Sequence, residues 1–314
     1  MFVVKSFDTS LYNKKSVVSV GTFDGVHLGH RKILEEVSRI KKTTQLRAVI
    51  VTFDPHPQIV LKSKGPDLKI LTTTEEKLAI LEQADIDVVY VIEFNKQLAQ
   101  TTAEEFLGKY LFNTIGVEHL VIGYDHTFGK NREGNYETLK RISSNYGFQI
   151  TKVEEFRLEG ERVSSSTIRK LLQTNNIIKA NKMLGYSYSL TGTVITGDKR
   201  GLTIGFPTAN IKVNSPFKLI PAKGVYLVSV KFSNRQFFGM MNIGNRPTIG
   251  NFGDVYLEVH LFNFNGNLYG QELTIQFLDF LRNEIKFDSI QALTKQLNYD
   301  KEVSIQKIKQ ITKY

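Results

Sequence analysis

The sequence predicts two domains, an α/β domain with a parallel sheet followed by a smaller antiparallel β domain. Three observations carry this. Over residues 16–181, short β-branched runs alternate with stretches of helical periodicity. After Gly185, short strands separated by glycine turns follow one another, and only residues 289–311 look helical. A length of 314 residues accommodates two domains of ordinary size. The boundary falls at 184/185, which gives domains 1–184 and 185–314.

In the first domain, Ser16-Val17-Val18-Ser19-Val20 reads as a buried strand, and Ile33, Leu34, Val37 and Ile40 then recur at helical spacing. Residues 47–53 form a second buried strand, broken by Asp54-Pro55-His56-Pro57. Thr74-Glu75-Glu76 opens a helix that carries Leu78, Ile80 and Leu81; residues 88–92 are a third strand. Thr102-Ala103-Glu104-Glu105 opens another helix, with Phe106, Tyr110 and Leu111, and residues 119–123 are a fourth strand. In a parallel sheet of this kind, ligands bind at the carboxyl ends of the strands. In the second domain the candidate strands are 188–194, 225–230, 236–241, 255–262 and 272–280.

Composition narrows the function classes. Hydrophobic residues make up 41% and charged residues 23%, as in globular proteins. No apolar run approaches the ~20 residues of a membrane span, and the first residues lack the layout of a signal peptide. With no cysteine there is no disulfide, thiol catalysis or cysteine-bound zinc. The expected location is the cytoplasm. The net charge of +10 divides into +4 for residues 1–184 and +6 for residues 185–314, with no long basic block. That spread argues against nucleic acid as the main partner and suits polyphosphate substrates.

The most informative stretch is Gly21-Thr22-Phe23-Asp24-Gly25-Val26-His27-Leu28-Gly29-His30, a glycine-punctuated turn from strand to helix. Backbone N–H groups at such a helix start bind phosphate well, and two histidines there can donate hydrogen bonds to a phosphoryl group. Read alone, the glycines can serve backbone geometry only, and the histidines can be zinc ligands or ordinary surface residues. Residues 123–130, Gly-Tyr-Asp-His-Thr-Phe-Gly-Lys, are not a Walker A loop, because the glycine spacing is wrong and Asn131 follows. Val163-Ser164-Ser165-Ser166-Thr167-Ile168-Arg169 reads as a helix N-cap or as a phosphate-binding helix start.

Together these segments resemble bacterial FMN adenylyltransferases (FAD synthetases) of the nucleotidylyltransferase group. The resemblance rests on His27-Leu28-Gly29-His30, on Phe53-Asp54-Pro55-His56-Pro57, on the 123–130 loop and on the serine motif, which lies about 140 residues after the histidines. It implies catalytic roles for His27 and His30. It implies nucleotide and phosphate binding by Gly21, Phe23, Asp24, Gly25, Ser164, Ser165, Ser166 and Arg169. Flavin binding would fall to Phe53, Asp54, Pro55, His56, Asp125 and Phe128. His126 stands where phenylalanine is usual, and Ser166 where threonine is usual.

The second domain repeats this pattern of reading. Gly192, Gly197, Gly201 and Gly205 lead into Phe206-Pro207-Thr208-Ala209-Asn210. Such glycines serve hairpin turns or close backbone approach to phosphates. In an extended strand Thr208 and Asn210 point the same way, and their neutral oxygens can help hold magnesium bound to ATP. In the strictly alternating 255–262 strand, Glu258 lies between Tyr256 and His260 on the polar face, either solvated or placed to take a hydroxyl proton.

The 205–210 and 258–262 segments, with Gly239-Met240-Met241-Asn242-Ile243-Gly244-Asn245-Arg246-Pro247-Thr248 and Phe280-Leu281-Arg282-Asn283-Glu284, resemble the riboflavin kinase domain. That family is a small Greek-key barrel. The resemblance implies Glu258 as catalytic base, Thr208 and Asn210 on Mg-ATP, Gly201, Gly205 and Pro207 at the nucleotide, and Arg282 at the flavin. Leu202 stands where arginine is usual, and Asn263 and Asn267 where aspartates are frequent. The whole chain is thus similar to bifunctional riboflavin kinase/FAD synthetases. ATP, riboflavin, FMN and FAD would be substrates or products and Mg2+ the cofactor, with no nucleic-acid or membrane partner and no indication of oligomeric state. The rival readings are an enzyme with one degenerate site, another nucleotidylyltransferase, and a flavin-binding regulatory protein.

Overall fold

Strand β2 (Ser16–Val20) is buried at all five residues, as a strand covered on both faces must be. In the computed structural model, which describes residues 1–5, 15–61, 68–130, 133–197, 201, 204–233, 235–245 and 255–311, it sits inside a six-stranded sheet. The other strands are β1 (Phe2–Val4), β3 (Arg47–Asp54), β4 (Val88–Glu93), β5 (Val117–Gly123) and β6 (Gln149–Val153). Their order is β1-β4-β3-β2-β5-β6, and every pairing is parallel. From β2 the chain runs outward through β3 to β4, then returns to lay β5 on the opposite side of β2. The switch point of the sheet therefore lies between the carboxyl ends of β2 and β5, where α/β folds bind ligands.

Alternation along the strands supplies two apolar layers. Val88, Tyr90 and Ile92 of β4 join Val18, Val49, Leu120 and Phe106 on one face. Val89 and Val91 join Val17, Ile50, Leu34, Val37 and Ile40 on the other. The last three belong to helix α1 (Leu28–Thr44) and are its buried stripe. Each buried valine or leucine contributes ~1.5–3 kcal/mol. Helices α2 (Pro57–Leu61), α3 (Thr74–Leu81), α4 (Ala103–Phe106) and α5 (Tyr136–Tyr146) complete the covering. Thr73 and Glu76 form a capping box on α3, and Thr102 and Glu105 form one on α4. After Phe106 the helix widens into a π-helix over Leu107–Ile115, which the apolar spacing did not reveal.

The remaining strands build the antiparallel part: β9 (Ser189–Ile195), β10 (Ala209–Val213), β11 (Gly224–Phe232), β12 (Arg235–Asn245), β13 (Val255–Leu261) and β14 (Glu272–Arg282). A two-stranded hairpin, β7 (Arg157–Leu158) and β8 (Glu161–Arg162), precedes them. They close in the order β10-β13-β12-β11-β14-β9. Strand β14 returns to lie beside β11, so β11 to β14 are arranged as a Greek key. Helix α8 (Ile290–Ile311) follows, and its Leu297 and Ile308 pack on Phe206, Val225, Met240 and Phe262.

The chain divides into two compact units at Ser165/Ser166. This is one helix pair earlier than the division expected at 184/185. Helices α6 (Ser165–Gln173) and α7 (Ile177–Leu184) bond to the barrel. Asn181 Nδ2 donates to the Phe277 carbonyl at 2.8 Å, the Tyr188 N–H donates to Asn181 Oδ1 at 2.7 Å, and the Ala222 N–H donates to the Leu172 carbonyl. Among the described residues, no helix is long and apolar enough to cross a membrane. Leu202, Arg246, Pro247 and Thr248 lie outside the described residues.

Candidate active sites

The β2–α1 turn in the first unit is wound tightly. Phe23, Gly25 and Val26 have φ of 47°, 83° and 34°. Left-handed backbone at Phe23 and Val26 is a strained state for such residues, of order 1–3 kcal/mol each, that its surroundings must impose. Contacts distant in sequence do so. Asp24 is buried, and its Oδ1 accepts from the N–H groups of Leu71 at 2.8 Å and Thr72 at 3.1 Å. Gly25 N–H donates to Thr72 Oγ1 at 3.0 Å, and Ser165 Oγ donates to the Asp24 carbonyl at 2.9 Å. Asp24, expected at the nucleotide, also holds backbone amides through Oδ1, and its negative charge would repel a phosphate.

The turn delivers both histidines to the start of α1. His27 is the N-cap, and its Nδ1 accepts from the His30 backbone N–H at 3.3 Å. An accepting Nδ1 leaves Nε2 to carry the ring proton of neutral His27. The two imidazoles stack with centroids 3.7 Å apart and 13° between their planes, and Phe23 lies 5.2 Å from His30. Burial, and then the charges of His27 and Lys77, hold His30 well below the usual histidine range. Its Nδ1 has no hydrogen-bond partner among the described residues. A neutral ring with an unsatisfied buried nitrogen, beside a helix N-terminus, suits an anionic ligand.

A second cluster of aromatic rings forms in this unit. Phe53 lies 5.6 Å from Phe94 and 6.4 Å from Phe106, and Phe106 lies 5.7 Å from Phe128 and 5.3 Å from Tyr110. The sequence points to Phe53 and Phe128 for the flavin; Phe106, in a helix, reads first as core, and Phe94, just after β4, carries no motif. His126 lies 5.5 Å from Phe128, and loss of water around its ring pushes it down to about 4. Asp54 and Pro55 are exposed and joined by a cis peptide, and His56 Nδ1 accepts from Gln58 N–H at 3.2 Å. Asp125 is exposed and ion-paired with Arg162, whose guanidinium lies 4.8 Å from the Tyr124 ring centroid. Gly21 stays close-packed, since a Cβ there would sit 3.2 Å from the Phe23 ring.

Of the serine motif, Ser164 precedes α6, Ser165 opens it, and Ser166 and Arg169 lie within its first turns. The Ser165 hydroxyl ties this helix start to the Asp24 carbonyl.

On the barrel, Asn210 of β10 pairs with Glu258 of β13, and Glu258 pairs with Asn242 of β12. Directly opposed residues share a face, so three polar side chains form one row. Leu257, Val259 and Leu261 are buried while Tyr256, Glu258 and His260 are partly exposed, which puts the row on the outer face. Asn242 Nδ2 donates to Tyr256 Oη at 3.0 Å and Glu284 Oε1 at 3.4 Å, and Asn242 Oδ1 is buried without a partner among the described residues. The register places Asn242 in the Glu258 row, and Glu284 contacts Asn242.

The glycine-rich segment presses on this row. A Cβ on Gly197 would lie 1.9 Å from Asn210 Nδ2, and one on Gly201 would lie 2.1 Å from the Phe206 carbonyl and 3.5 Å from Thr208 Oγ1. Gly205 has φ of 81°, which makes it a turn glycine. The Pro207 carbonyl accepts from His260 Nδ1 at 2.8 Å, and His260 also packs between Phe206 and Phe262.

Arg282, expected at the flavin, pairs with Asp300. Its Nε donates to Asp300 Oδ2 at 2.9 Å, its Nη2 lies 2.8 Å from the same carboxylate, and its Nη1 donates to the Asn283 carbonyl. Side-chain exposures of 16% and 4% make this a buried pair joining β14 to α8. Removing one partner of such a pair costs ~3–5 kcal/mol. Asp300→Ala should therefore destabilise the barrel by about that amount, read as a lower urea midpoint for the loss of barrel fluorescence. An unchanged midpoint would refute the pairing.

Comparison with known proteins agrees with both halves. A family model described as FAD synthetase matches residues 9–167, and one described as riboflavin kinase matches residues 184–308. A bifunctional riboflavin kinase/FMN adenylyltransferase of Listeria monocytogenes is 37% identical over 91% of this chain and 90% of its own. Those of Bacillus subtilis (37%, covering 93% and 92%) and Escherichia coli K12 (35%, covering 90% of each) are similar. A solved Streptococcus pneumoniae chain described as a macrolide-efflux protein shares the fold with a TM-score of 0.88 and 30% identity, over 97% of this chain and 99% of that one. That description belongs to the pneumococcal protein. With both family models matched in order and full-length relatives above 30% identity, the chain belongs to the bifunctional riboflavin kinase/FMN adenylyltransferase family.

Proposed function

We propose that the chain makes FAD from riboflavin in two ATP-dependent steps, one in each domain, with residues 1–184 and 185–314 as the domains. What supports the reading most is that each matched family region carries its own polar site: the stacked His27–His30 pair at a helix start, and the Asn210–Glu258–Asn242 row on the barrel.

On the barrel, the ribityl 5′-oxygen of riboflavin attacks the γ-phosphorus of ATP. Its proton passes to the Glu258 carboxylate, the bond to the β-phosphate oxygen breaks, and FMN and ADP result. Thr208 and Asn210 offer a hydroxyl and an amide oxygen, hard neutral donors that fit a magnesium ion arriving with ATP. The chemistry it supplies when bound is charge neutralisation on the phosphate oxygens. Gly201, Gly205 and Pro207 shape the nucleotide loop. Arg282 holds α8 in place through Asp300 and lies in the frame of this site.

In the first domain, a phosphate oxygen of FMN attacks the α-phosphorus of ATP, and pyrophosphate leaves with the electron pair of the broken bond. The nucleophile is already anionic, so no general base is needed. Catalysis is positioning and charge stabilisation. His27 donates from Nε2 and His30 from its neutral ring, while Gly21, Phe23 and Gly25 shape the turn, the Gly21 and Gly25 amides being bonded to the Val51 carbonyl and Thr72 Oγ1. Ser164, Ser165, Ser166 and Arg169 hold phosphates, and Asp24 fixes the turn. Phe53, Phe106 and Phe128 flank the flavin ring, with Asp54, Pro55, His56 and Asp125 at its edge. A cytoplasmic location, where ATP is plentiful, would suit both steps.

Purified protein given riboflavin and Mg-ATP should yield FMN first and FAD later by chromatography. Absence of any flavin product would overturn the reading.

A further inference from the structure

Lysine is rarely buried unless its charge is needed where it sits. Lys77, in α3, is 5% exposed. Its Nζ donates to Thr52 Oγ1 at 2.9 Å and reaches the Phe53 carbonyl at 3.5 Å. Thr52 Oγ1 in turn donates to the Thr22 carbonyl at 3.2 Å. One ammonium is thus tied to the end of β3, which carries Phe53 and Asp54, and through Thr52 to the turn that carries His27 and His30. The titratable groups facing it are the carboxylates of Asp24 and Asp54 and the neutral imidazole of His30. Neither the motifs nor the periodicity marked this residue.

Two carboxylates beside a turn that must take a triphosphate would repel it. A cation set between them offsets that repulsion and cross-links the two strand ends. We propose that Lys77 is a positioning residue for adenylyl transfer, whose ammonium balances Asp24 and Asp54 so that the Gly21–His30 turn accepts ATP. The proposal rests on the adenylyl-transfer reading above. It has a pH signature. Burial lowers Lys77 to about 8, against the raising effect of Asp24 and Asp54. The protonated form is the working one, so the function is present below about pH 8 and lost as pH rises through it. Phosphate groups have a second pKa of about 6, so they are almost fully ionised at the pH where Lys77 loses its proton.

The test measures kcat/KM for ATP in FAD formation from FMN, between pH 6.5 and 9.5, for the wild type, Lys77→Arg and Lys77→Met. Far-UV circular dichroism and the urea midpoint of the same preparations report folding, and FMN formation from riboflavin reports an intact barrel. Wild type should lose activity above about pH 8, approaching tenfold per pH unit. Lys77→Arg should keep activity at pH 7 and show no alkaline fall up to pH 9.5, because guanidinium stays charged. Lys77→Met should lose about 10–100-fold at pH 7, chiefly through a higher KM for ATP, with FMN formation retained. An alkaline fall in Lys77→Arg that matches the wild type would overturn the proposal, as would a wild-type profile flat to pH 9.5. These two outcomes decide even if Lys77→Met does not fold. FAD formation with an unaltered profile defeats this inference alone, whereas no FAD at any pH defeats the adenylyl-transfer reading and the inference with it.

Discussion

Glu258→Gln should abolish FMN formation from riboflavin, by about 10²–10⁴-fold, while FMN and ATP still give FAD. The glutamine keeps the volume and the hydrogen-bonding reach of the side chain but cannot take the proton of the ribityl hydroxyl. The neighbours on either side in the row, Asn210 and Asn242, are amides that cannot substitute as bases. Glu284 contacts Asn242, one strand away from Glu258, so it is not set to rescue the reaction. Chromatography of products from riboflavin and from FMN, run on one preparation, checks both halves. Equal loss of the two reactions in a folded protein would contradict a separate kinase site, and undiminished FMN formation would remove Glu258 from it.

His30→Ala should give the opposite pattern. FAD formation should fall by about 10²–10³-fold, the loss found when one donor aimed at developing phosphoryl charge is removed. FMN formation should stay within about twofold. His30 is held well below the usual histidine range, so it is neutral through the physiological range. Its protonation therefore imposes no acid limb on FAD formation between about pH 6.5 and 8. His30→Asn, which keeps an N–H donor, should recover part of the loss. A His30→Ala enzyme that still makes FAD at the wild-type rate would exclude the histidine pair from the chemistry.

Much of the fold is written locally. Five consecutive apolar or small residues at 16–20, then glycines, then an apolar stripe at Leu34, Val37 and Ile40, specify strand, turn and helix within one short stretch. The alternation of Leu257, Val259 and Leu261 with Tyr256, Glu258 and His260 places Glu258 on the outer face without reference to any other segment. Expected strands at 47–53, 88–92, 119–123, 225–230 and 255–262 all lie within observed ones or overlap them closely. The short edge strand β1 and the hairpin β7–β8 escaped notice because two or three residues carry too little periodicity to read.

By itself, then, the sequence determined the two architectures, the paired histidine and serine motifs and the face that bears Glu258. These depend on neighbours within a turn or a strand, where spacing alone sets direction. Only the tertiary structure decided what Asp24 and Arg282 hold, that Asn242 completes the row, that Phe106 joins Phe53 and Phe128, and that Lys77 lies beneath the turn. Each of these depends on a partner from another element. Asp24 and Leu71 stand 47 residues apart, and Arg282 and Asp300 stand 18 apart. A charged side chain looks the same in a sequence whether it meets phosphate, solvent or a buried amide; the fold chooses its partner by bringing distant backbone to it.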